Sequence, residues 1–573
     1  VADFSRALEL DPDYAFALGS RGETLRDLGD YEASLADLDR AAALHADQAW
    51  IFESRGETHR LRGDYGAAIA DFDRAVALFP GFVAAWGYRG ETHRAMGDFA
   101  TALADFDRAI ELDDSQAWLY AGRGETHRLQ GHHEAALVEF ARALELDPYH
   151  VYTLGSRGET YRSMGDYDAA LADFDCAIEL DDTKAWLYFD RGETHRLRWD
   201  FEAALADFDR ALTLDPDNAA ALGSRGETYR SMGDYDAAMA DFDRAIDLDP
   251  ESALALAGRG ETRRILADLE AALVDFDRAL AIDPDHIFAL GSRADTYREM
   301  ANYPACLADY DRALALDRTQ AWLFAGRGQA HSDLGDYAAA VADFASALEL
   351  NDQQPVLYIL RGEAYLELDD GAAALADIDR ALELDPDSVQ PGFYADRGDA
   401  HRLLGDYEAA LADLDHSLTL GPDNPWALGL RAGIHTRLGN TAGALSDLDQ
   451  AIALQPDEDW YHYRRGLIHL QLHADKAART DIEQALALAG ERYTSDPRMW
   501  RNTLNIALYH VAIGNTAAAE ALYQDALASD VPLGRLREAI SDLDDLLEVL
   551  PGHAGASAMR TLLQSAVEQR GSG

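Results

Sequence analysis

Residues 219–252 read AAALGSRGETYRSMGDYDAAMADFDRAIDLDPES, and this stretch is one copy of the unit from which the chain is built. Its RGET tetrapeptide recurs every 34 residues. A fixed period of this length is the signature of a repeat solenoid. It argues against catalysis by the motif, because a nucleophile or general base is needed once, whereas these residues recur in each repeat. Intact copies begin at Arg21, Arg55, Arg89, Arg123, Arg157, Arg191, Arg225 and Arg259, and decayed copies at Arg293, Arg327, Arg361 and, after a two-residue insertion, Arg397, Arg431 and Arg465.

Each repeat contains two helical patterns, helix A and helix B, on either side of a Gly-Asp pair. In the quoted copy we expect Gly233 to end helix A and Asp234 to cap helix B by accepting from its free N–H groups. Asp249-Pro250 stops helix B. Small residues let the helices approach closely, and aromatic residues fill the gaps. The positions at helical spacing are Leu222, Gly226, Tyr229 and Met232, then Tyr235, Ala238, Phe242, Ala245 and Ile246.

This pattern resembles the tetratricopeptide repeat family. That family has a small residue midway along helix A, an aromatic three residues later, a turn glycine, and then alanine, an aromatic, alanine and proline. The departure is Arg225, where the family usually carries leucine. The resemblance implies an all-α, right-handed superhelical α-solenoid of about fifteen helix-turn-helix repeats with a C-terminal capping helix. The matching residues are Gly226, Tyr229, Gly233, Ala238, Phe242, Ala245 and Pro250.

The repeat register predicts five segments. Within the C-terminal part we expect a loop at Ala489–Pro497, one more helix B at residues 536–551 and a final helix at about 555–569. Terminal units of solenoids are atypical, since one of their faces meets water. The closing Gly-Ser-Gly is interpreted as a tail added for expression. The segments are the second half of a truncated repeat (1–14), repeats 1 to 14 (15–488), the loop and a divergent fifteenth repeat (489–530), a helical cap (531–570) and the tail (571–573).

The charge balance limits the partners. With 104 acidic and 50 basic residues, the net charge of −54 argues against nucleic acid and anionic membrane surfaces. It permits a basic protein partner, although it can also simply keep a long repeat protein soluble. We find no signal peptide or membrane-spanning run, and Cys176 and Cys306 lie in different repeats, so we expect a cytoplasmic protein without a disulfide. The near absence of lysine suggests a bacterial source.

The resemblance implies that helix A lines a concave groove with its second, fifth, ninth and twelfth residues. We call these positions the groove face. Alternate repeats differ there, since odd repeats read ALGS and even repeats AWLY before the motif. The alternating glutamate and arginine of this face are interrupted at Ser332, Leu366 and Thr436 and at Gln329, Gly433 and Leu467, so repeats one to nine are the better candidate. The predicted partner-binding residues are Trp50, Trp118, Tyr152 and Trp186, then Glu57, Glu91, Glu125, Glu159 and Glu193, then Arg60, Arg94, Arg128, Arg162 and Arg196.

Two interpretations of this face remain open. Glutamate and arginine three residues apart share one side of a helix and can pair. Between such charges, tryptophan and tyrosine offer apolar area with a polar tip, which suits an extended peptide or a partner's helix. The same residues can instead form a self-neutralising ladder that holds neighbouring helices together. Exposed pairs of this kind contribute only about 0.3–0.5 kcal/mol each.

The arginine of the motif occupies a core-facing position, where an unpaired guanidinium would be costly. Helix B offers aspartate nearby, for example Asp241 and Asp243. We therefore predict a structural Arg–Asp pair in most repeats, and we expect the threonine of the motif to pack between the helices. The predicted structural arginines include Arg123, Arg157, Arg191 and Arg225.

No catalytic or cofactor motif is found. The chain lacks a Gly-Lys-Ser/Thr phosphate loop, HExxH and CxxC, so we predict no enzyme activity, no cofactor and no metal. The histidines His59, His93, His127 and His195 recur in stacked helices about 8–10 Å apart, too far to share a zinc ion that each must reach within about 2.0–2.1 Å. The leading hypothesis is a protein-interaction scaffold. The alternative is the ligand-sensing arm of a larger bacterial signalling or defence effector, an NTPase or protease.

Overall fold

The computed structural model describes residues 1–386, 390–495, 500–529, 531 and 533–571. These residues form 33 helices and include no strand. From α2 onward, consecutive helices pack in pairs. The all-α repeat fold predicted from the sequence is confirmed. The chain divides into two units, Val1–Pro284 and Asp285–Gly573.

The first unit holds α1 and eight helix pairs. Its helices are α1 (Ala2–Leu10), α2 (Ala15–Asp27), α3 (Tyr31–Leu44), α4 (Ala49–Arg62), α5 (Tyr65–Leu78), α6 (Val83–Ala95), α7 (Phe99–Leu112), α8 (Ala117–Leu129), α9 (His133–Leu146), α10 (Val151–Ser163), α11 (Tyr167–Leu180), α12 (Ala185–Leu197), α13 (Phe201–Leu214), α14 (Ala219–Met232), α15 (Tyr235–Leu248), α16 (Ala253–Ile265) and α17 (Leu269–Ile282).

In the second unit, the described residues form eight further pairs. The helices are α18 (Ile287–Glu299), α19 (Tyr303–Leu316), α20 (Ala321–Asp333), α21 (Tyr337–Leu350), α22 (Pro355–Glu367), α23 (Gly371–Leu384), α24 (Pro391–Leu403), α25 (Tyr407–Leu420), α26 (Pro425–Arg437), α27 (Thr441–Leu454), α28 (Asp459–Gln471), α29 (Asp475–Ser495), α30 (Trp500–Ala512), α31 (Thr516–Ala528), α32 (Leu533–Val549) and α33 (Ala554–Gly571).

The turn within each pair has the chemistry expected from the Gly-Asp pair. Gly233 ends α14 with φ +82°, in the left-handed region that glycine adopts without strain. The Asp234 carboxylate then accepts a hydrogen bond of 3.1 Å from the Ala237 N–H and so caps α15. The predicted end of helix A and the predicted cap of helix B are confirmed.

The glycine of the motif gives room for the aromatic residue of helix B. A Cβ placed on Gly226 would stand 3.1 Å from the Phe242 ring, tighter than an ordinary contact. Phe242 and Ala238 are buried, and so is Thr228, whose hydroxyl donates to the Ser224 carbonyl at 2.8 Å. The core of a repeat therefore forms by close approach of two helices around one phenylalanine.

The arginine of the motif connects three helices. Arg225 of α14 donates from Nε and Nη2 to both carboxylate oxygens of Asp241 in α15, each at 2.7 Å. Its Nη1 donates to Asp209 of the preceding helix B at 2.6 Å. In the next repeat, Arg259 makes the equivalent contact with Asp243 at 2.7 Å. Each such arginine thus joins its own repeat to the one before it.

The other predicted structural arginines show two variations on this arrangement. Arg191 forms the full set of contacts. Arg157 keeps the bidentate pair with Asp173 of α11. Arg123 donates to Glu139 instead of an aspartate, at 2.7 Å. The bidentate pair recurs in most repeats of both units, so the position usually filled by leucine in this family carries a buried ion pair here.

The loop expected at Ala489–Pro497 is partly wrong. Helix α29 continues to Ser495, and residues 496–497 lie outside the described residues. Ala485 and Ala489, four residues apart, are buried and keep one face of the helix packed. A single glycine inside a helix costs only about 1 kcal/mol, so Gly490 does not end it.

Helix α32 does not pack as an ordinary helix B, which corrects the expectation for residues 536–551. It lies against α28 and α30. Its apolar stripe of Leu536, Leu543 and Leu546 is buried in one cluster with Leu467. Leu467 is the ninth residue of α28, so α32 covers the groove face of that helix. An amphipathic helix buries its apolar stripe wherever a matching surface is open.

The buried ion pair yields a stability prediction. We expect Arg225→Leu to lower the local unfolding free energy of α14 and α15 by about 3–5 kcal/mol, because Asp241 is left buried without its partner. Arg244→Leu, which breaks the exposed pair with Asp217, should change it by less than about 0.5 kcal/mol. Native-state hydrogen exchange measures both. Equal effects of the two substitutions would contradict a structural role for Arg225.

Candidate partner-binding groove

The structure brings five of the predicted groove residues together around one cavity in the first unit. The cavity has a volume of about 340 Å³ and lies between α6, α8 and α10. Its lining includes second, ninth and twelfth residues of these helices. The five residues are Glu91, Arg94, Trp118, Glu125 and Tyr152.

Glutamate and arginine of the groove face pair within a helix in four of the five predicted cases. Arg60 donates to both oxygens of Glu57, at 2.6 and 2.7 Å, and Arg128 to both oxygens of Glu125, at 2.8 and 2.6 Å. The hydrogen bond with Glu57 raises the pKa of Arg60. The remaining two pairs are Arg94 with Glu91 and Arg196 with Glu193.

The fifth pair, Arg162 with Glu159, is not formed. Arg162 of α10 donates from Nη1 to the Asp190 carboxylate at 3.0 Å and to the Asp190 carbonyl at 2.9 Å, in the next helix A. Glu159 instead accepts from Arg128 Nη1 at 2.9 Å. Both contacts cross between repeats. Spacing along one helix could not reveal them, because they depend on how neighbouring helices stack.

The tryptophans are seated on glycines of the preceding helix A. A Cβ on Gly155 would overlap the ring of Trp186, and Gly19 and Gly87 stand in the same relation to Trp50 and Trp118. The alternation between odd and even repeats is therefore a packing pattern, in which odd repeats supply the glycine and even repeats the ring. These tryptophans are half-buried.

Tyr152 is the most open of the predicted aromatic residues. Its side chain is 62% exposed, and its ring stacks on Trp186 with centroids 5.5 Å apart and planes 15° apart. One face of the pair is therefore available to a partner while the other is fixed by the protein. Offset stacking of this kind holds a ring in place at little cost in conformational freedom.

One glycine of this kind, Gly223, has no tryptophan ring beside it. Gly223 of α14 occupies the same position as Gly155, but the following helix A carries Leu254 where the tryptophan would stand. Apart from its chain neighbours and the nearby backbone of α14, no described atom lies within 4 Å of a Cβ placed on Gly223. Leu254 itself is exposed. Gly155 and Gly223 can therefore be compared as equivalent positions with and without a tryptophan ring.

Glu53 is a groove-face residue that the sequence reasoning did not select. It is the fifth residue of α4, and burial raises its pKa to about 7, while Arg26 opposes the shift and Glu23 and Glu57 add to it. A glutamate at a fifth position was visible in the sequence. The environment of Glu53 could not be predicted from the sequence, because the neighbouring carboxylates of Glu23 and Glu57 come from two helices.

Among the residues that the structure describes, no group of three or more histidine, cysteine, aspartate or glutamate side chains is placed to hold a metal ion. Within the same part of the chain, no helix is both long and apolar enough to cross a bilayer. His59 stands 3.7 Å from Asp64, next to the turn that ends its helix. Cys176 and Cys306 are both free thiols.

Stacked helical hairpins with a side-chain-lined groove define a helical-repeat protein. Family models described as tetratricopeptide repeat match several stretches that together cover well over half of the chain. The chain therefore belongs to the tetratricopeptide repeat family. The matched stretches are residues 20–83, 82–148, 151–184, 192–259, 325–389, 361–425 and 430–497.

Solved structures with the same fold include the APC/C hetero-tetramer Cut9-Hcn1, at 16% identity and a TM-score of 0.51 over 82% of this chain and 99% of that chain. MamA matches at 27% identity and a TM-score of 0.26, over 28% of this chain and 94% of its own. YrrB, described as a TPR protein with an unusual peptide-binding site, matches at 27% identity and a TM-score of 0.27, over 32% of this chain and 95% of its own. Among curated proteins, none matches this sequence.

The glycine seats give the first prediction for this surface. Gly155→Ala should destabilise α10 and α12 by about 1–3 kcal/mol, because the added methyl group displaces the Trp186 ring. Gly223→Ala should be neutral or stabilising by up to about 1 kcal/mol, since alanine favours the helix and the space is free. Hydrogen exchange of the two regions provides the comparison. Equal destabilisation by both substitutions would show that the ring does not depend on the glycine.

The environment of Glu53 gives a pH prediction. Its folded-state pKa, about 7, lies above the ordinary value of 4.5, so the charged form destabilises the folded protein increasingly as the pH rises between these values. Glu53→Gln should raise stability by on the order of 1–2 kcal/mol at pH 8 and have little effect at pH 4. Thermal unfolding followed by circular dichroism across this range measures the difference. A benefit that is the same at both pH values would contradict the raised pKa.

Proposed function

We propose that this chain is a non-catalytic protein-interaction scaffold that binds a peptide or protein segment along the groove face of its first unit. The supporting observation is the cavity between α6, α8 and α10, which Trp118 and Tyr152 line together with the Glu91–Arg94 pair and Glu125. The ladder and the binding surface are then the same residues, and pairing holds the charged groups in fixed positions. A partner meets a surface that is already ordered.

The pairing leaves hydrogen-bonding capacity for a partner. A guanidinium has five N–H donors, and Arg128 uses two of them on Glu125 and a third on Glu159. The remaining donors can bind the carbonyl groups of a peptide backbone. Tyr152 and Trp118 add apolar area beside these donors. The combination favours an extended segment whose carbonyl groups meet arginine and whose side chains meet the aromatic rings.

The charge of the chain favours a cationic partner. A net charge of −54 creates a long-range attraction for positive segments and a repulsion for acidic ones, which acts on the rate of encounter. The contacts within the groove would then select among the cationic segments. We also propose a reducing compartment such as the cytoplasm, because Cys176 is an exposed free thiol.

Truncation of Tyr152 tests this proposal with the least disturbance of the fold. Tyr152→Ala should weaken capture of the native partner by at least about tenfold, since aromatic anchors dominate such interfaces. Trp118→Ala should weaken it as well, but with some loss of stability, because the ring sits on Gly87. Pull-down from the native host followed by mass spectrometry identifies the partner, and titration with it measures affinity.

Tyr149→Ala is the matched control, since Tyr149 is an exposed tyrosine in the turn before α10. It should leave capture unchanged. Capture that survives both groove substitutions would exclude this stretch as the binding surface. The alternative, that the chain is the arm of a larger effector, stays a prediction that the complete open reading frame decides.

A further inference from the structure

Two aspartates occupy the same position in two repeats but have different surroundings. Asp190 is the sixth residue of α12, and Arg162, the twelfth residue of the preceding helix A, donates to it at 3.0 Å. Asp396 is the sixth residue of α24. The twelfth residue of its preceding helix A is Leu366. The second unit therefore has the carboxyl group but not the arginine that donates to it in the first.

Asp396 is buried without a partner. Its side chain is 9% exposed, and no residue in the described part of the chain forms a hydrogen bond or an ion pair with it. Burial raises its pKa to about 8, and Glu363 and Asp399 add to the shift. A buried carboxylate is normally paired, because removing the charge from water costs several kcal/mol. This site lacks the compensation that Asp190 has.

The carboxylate opens into a cavity of about 560 Å³ formed by α20, α22, α24 and α26. Leu366 lines the same cavity, at the place from which an arginine would reach Asp396. Glu363 and Trp426 also line it. The cavity is accessible from outside, and its lining combines carboxyl groups, of which Asp396 and Glu363 are two, with an aromatic ring.

The other charged residues around this cavity already have partners. Asp399 pairs with Arg402, and Arg298 pairs with Asp333 at 3.3 Å. Glu367 lies 3.9 Å from Arg535 of α32. The carboxyl groups without an ion-pair partner are therefore those of Asp396, which its raised pKa leaves largely protonated at neutral pH, and the neighbouring Glu363.

We propose that this cavity binds the guanidinium group of an arginine side chain carried by a peptide partner. The guanidinium would take the place that Arg162 occupies at Asp190, donating to Asp396 and Glu363, while its flat face lies on the Trp426 ring. Guanidinium fits this set of groups better than ammonium, because it is planar, stacks on aromatic rings and donates in two directions at once. The inference deepens the proposed function, and it rests on that function only for the peptide as the source of the arginine.

Isothermal titration of the full chain with short peptides tests the proposal at pH 9, where Asp396 is ionised and the peptides keep their positive charge. The probes are acetyl-Gly-Arg-Gly-amide, its lysine counterpart, and agmatine as a guanidinium without a peptide. We expect the arginine peptide to bind at least about tenfold more tightly than the lysine peptide, from the second hydrogen bond and the stacking. Tighter binding of the arginine peptide than of agmatine supports a peptide source. Equal binding of the arginine and lysine peptides would overturn the guanidinium assignment, and equal binding of agmatine would overturn the peptide source.

Substitutions at the two key positions locate the site. Asp396→Asn should weaken binding of the arginine peptide at least about tenfold by removing a charge-assisted hydrogen bond. Leu366→Arg should abolish it, since the new side chain restores the internal pair seen between Arg162 and Asp190. Leu366→Met keeps the volume without charge, and Glu349→Gln removes an exposed carboxylate from α21, so both should bind as the unaltered chain does. Unchanged binding by Asp396→Asn and Leu366→Arg would overturn the site.

The reverse substitution provides an independent check. Arg162→Leu removes the guanidinium from Asp190 and should create a second, weaker site for the arginine peptide, because Ala220 of α14 stands at the helix position that Trp426 holds in α26 and offers no ring. The titration should then show a second binding step, and a titration identical to that of the unaltered chain would contradict the pairing argument. The Tyr152→Ala test concerns α10 and the native partner, whereas these titrations concern α24 and a synthetic probe. A failure of the proposed function and a failure of this inference are therefore distinguishable.

Discussion

The bidentate contact between the arginine of helix A and an aspartate of helix B is the interaction on which the repeat depends. In most repeats the arginine also reaches the preceding helix B, so one side chain fixes three helices relative to one another. The two contacts of Arg225 connect it to carboxylates sixteen residues before and sixteen residues after it. The contact with the preceding helix B nevertheless tolerates a short insertion between repeats. At the two-residue insertion, Arg397 still reaches Asp379, now eighteen residues earlier, at 3.1 Å.

A leucine in this position would pack as well and would avoid the cost of removing a charge from water. A buried ion pair seldom adds net stability over apolar packing. The ion pair instead restricts the geometry in which the helices can pack. A bidentate guanidinium–carboxylate contact has one good geometry, whereas leucine tolerates several. In a chain built from near-identical repeats, helices could pair out of register at little cost. We interpret the recurring pair as a device that makes the wrong register leave buried charges unpaired.

The features that the sequence predicted correctly are local ones. The helix pairs, the Gly233 turn and the Asp234 cap each depend on a few consecutive residues. The Arg–Asp contact could be predicted because the two residues lie in adjacent helices of one repeat. The contacts that were missed arise between repeats: Arg162 with Asp190, the tryptophan rings on glycines, and α32 on the groove face of α28. The alternation of ALGS and AWLY was visible, but its meaning requires knowing that the fifth residue of one helix A faces the second residue of the next.

Because the repeats share one architecture, equivalent positions in different repeats can be compared directly. In a single globular domain, a buried unpaired aspartate has no internal reference, and its lack of a partner is hard to interpret. Here Asp190 shows what such an aspartate needs, and Leu366 shows what Asp396 has lost. A chain that has the buried aspartate of such a pair without its arginine has a carboxyl group that only water, a proton or a ligand can satisfy. A guanidinium from a partner satisfies it through the same guanidinium–carboxylate contact that Arg162 makes with Asp190 in the first unit. Repeats in which a glutamate or arginine of the groove face is replaced are therefore better candidates for specific binding than the regular repeats.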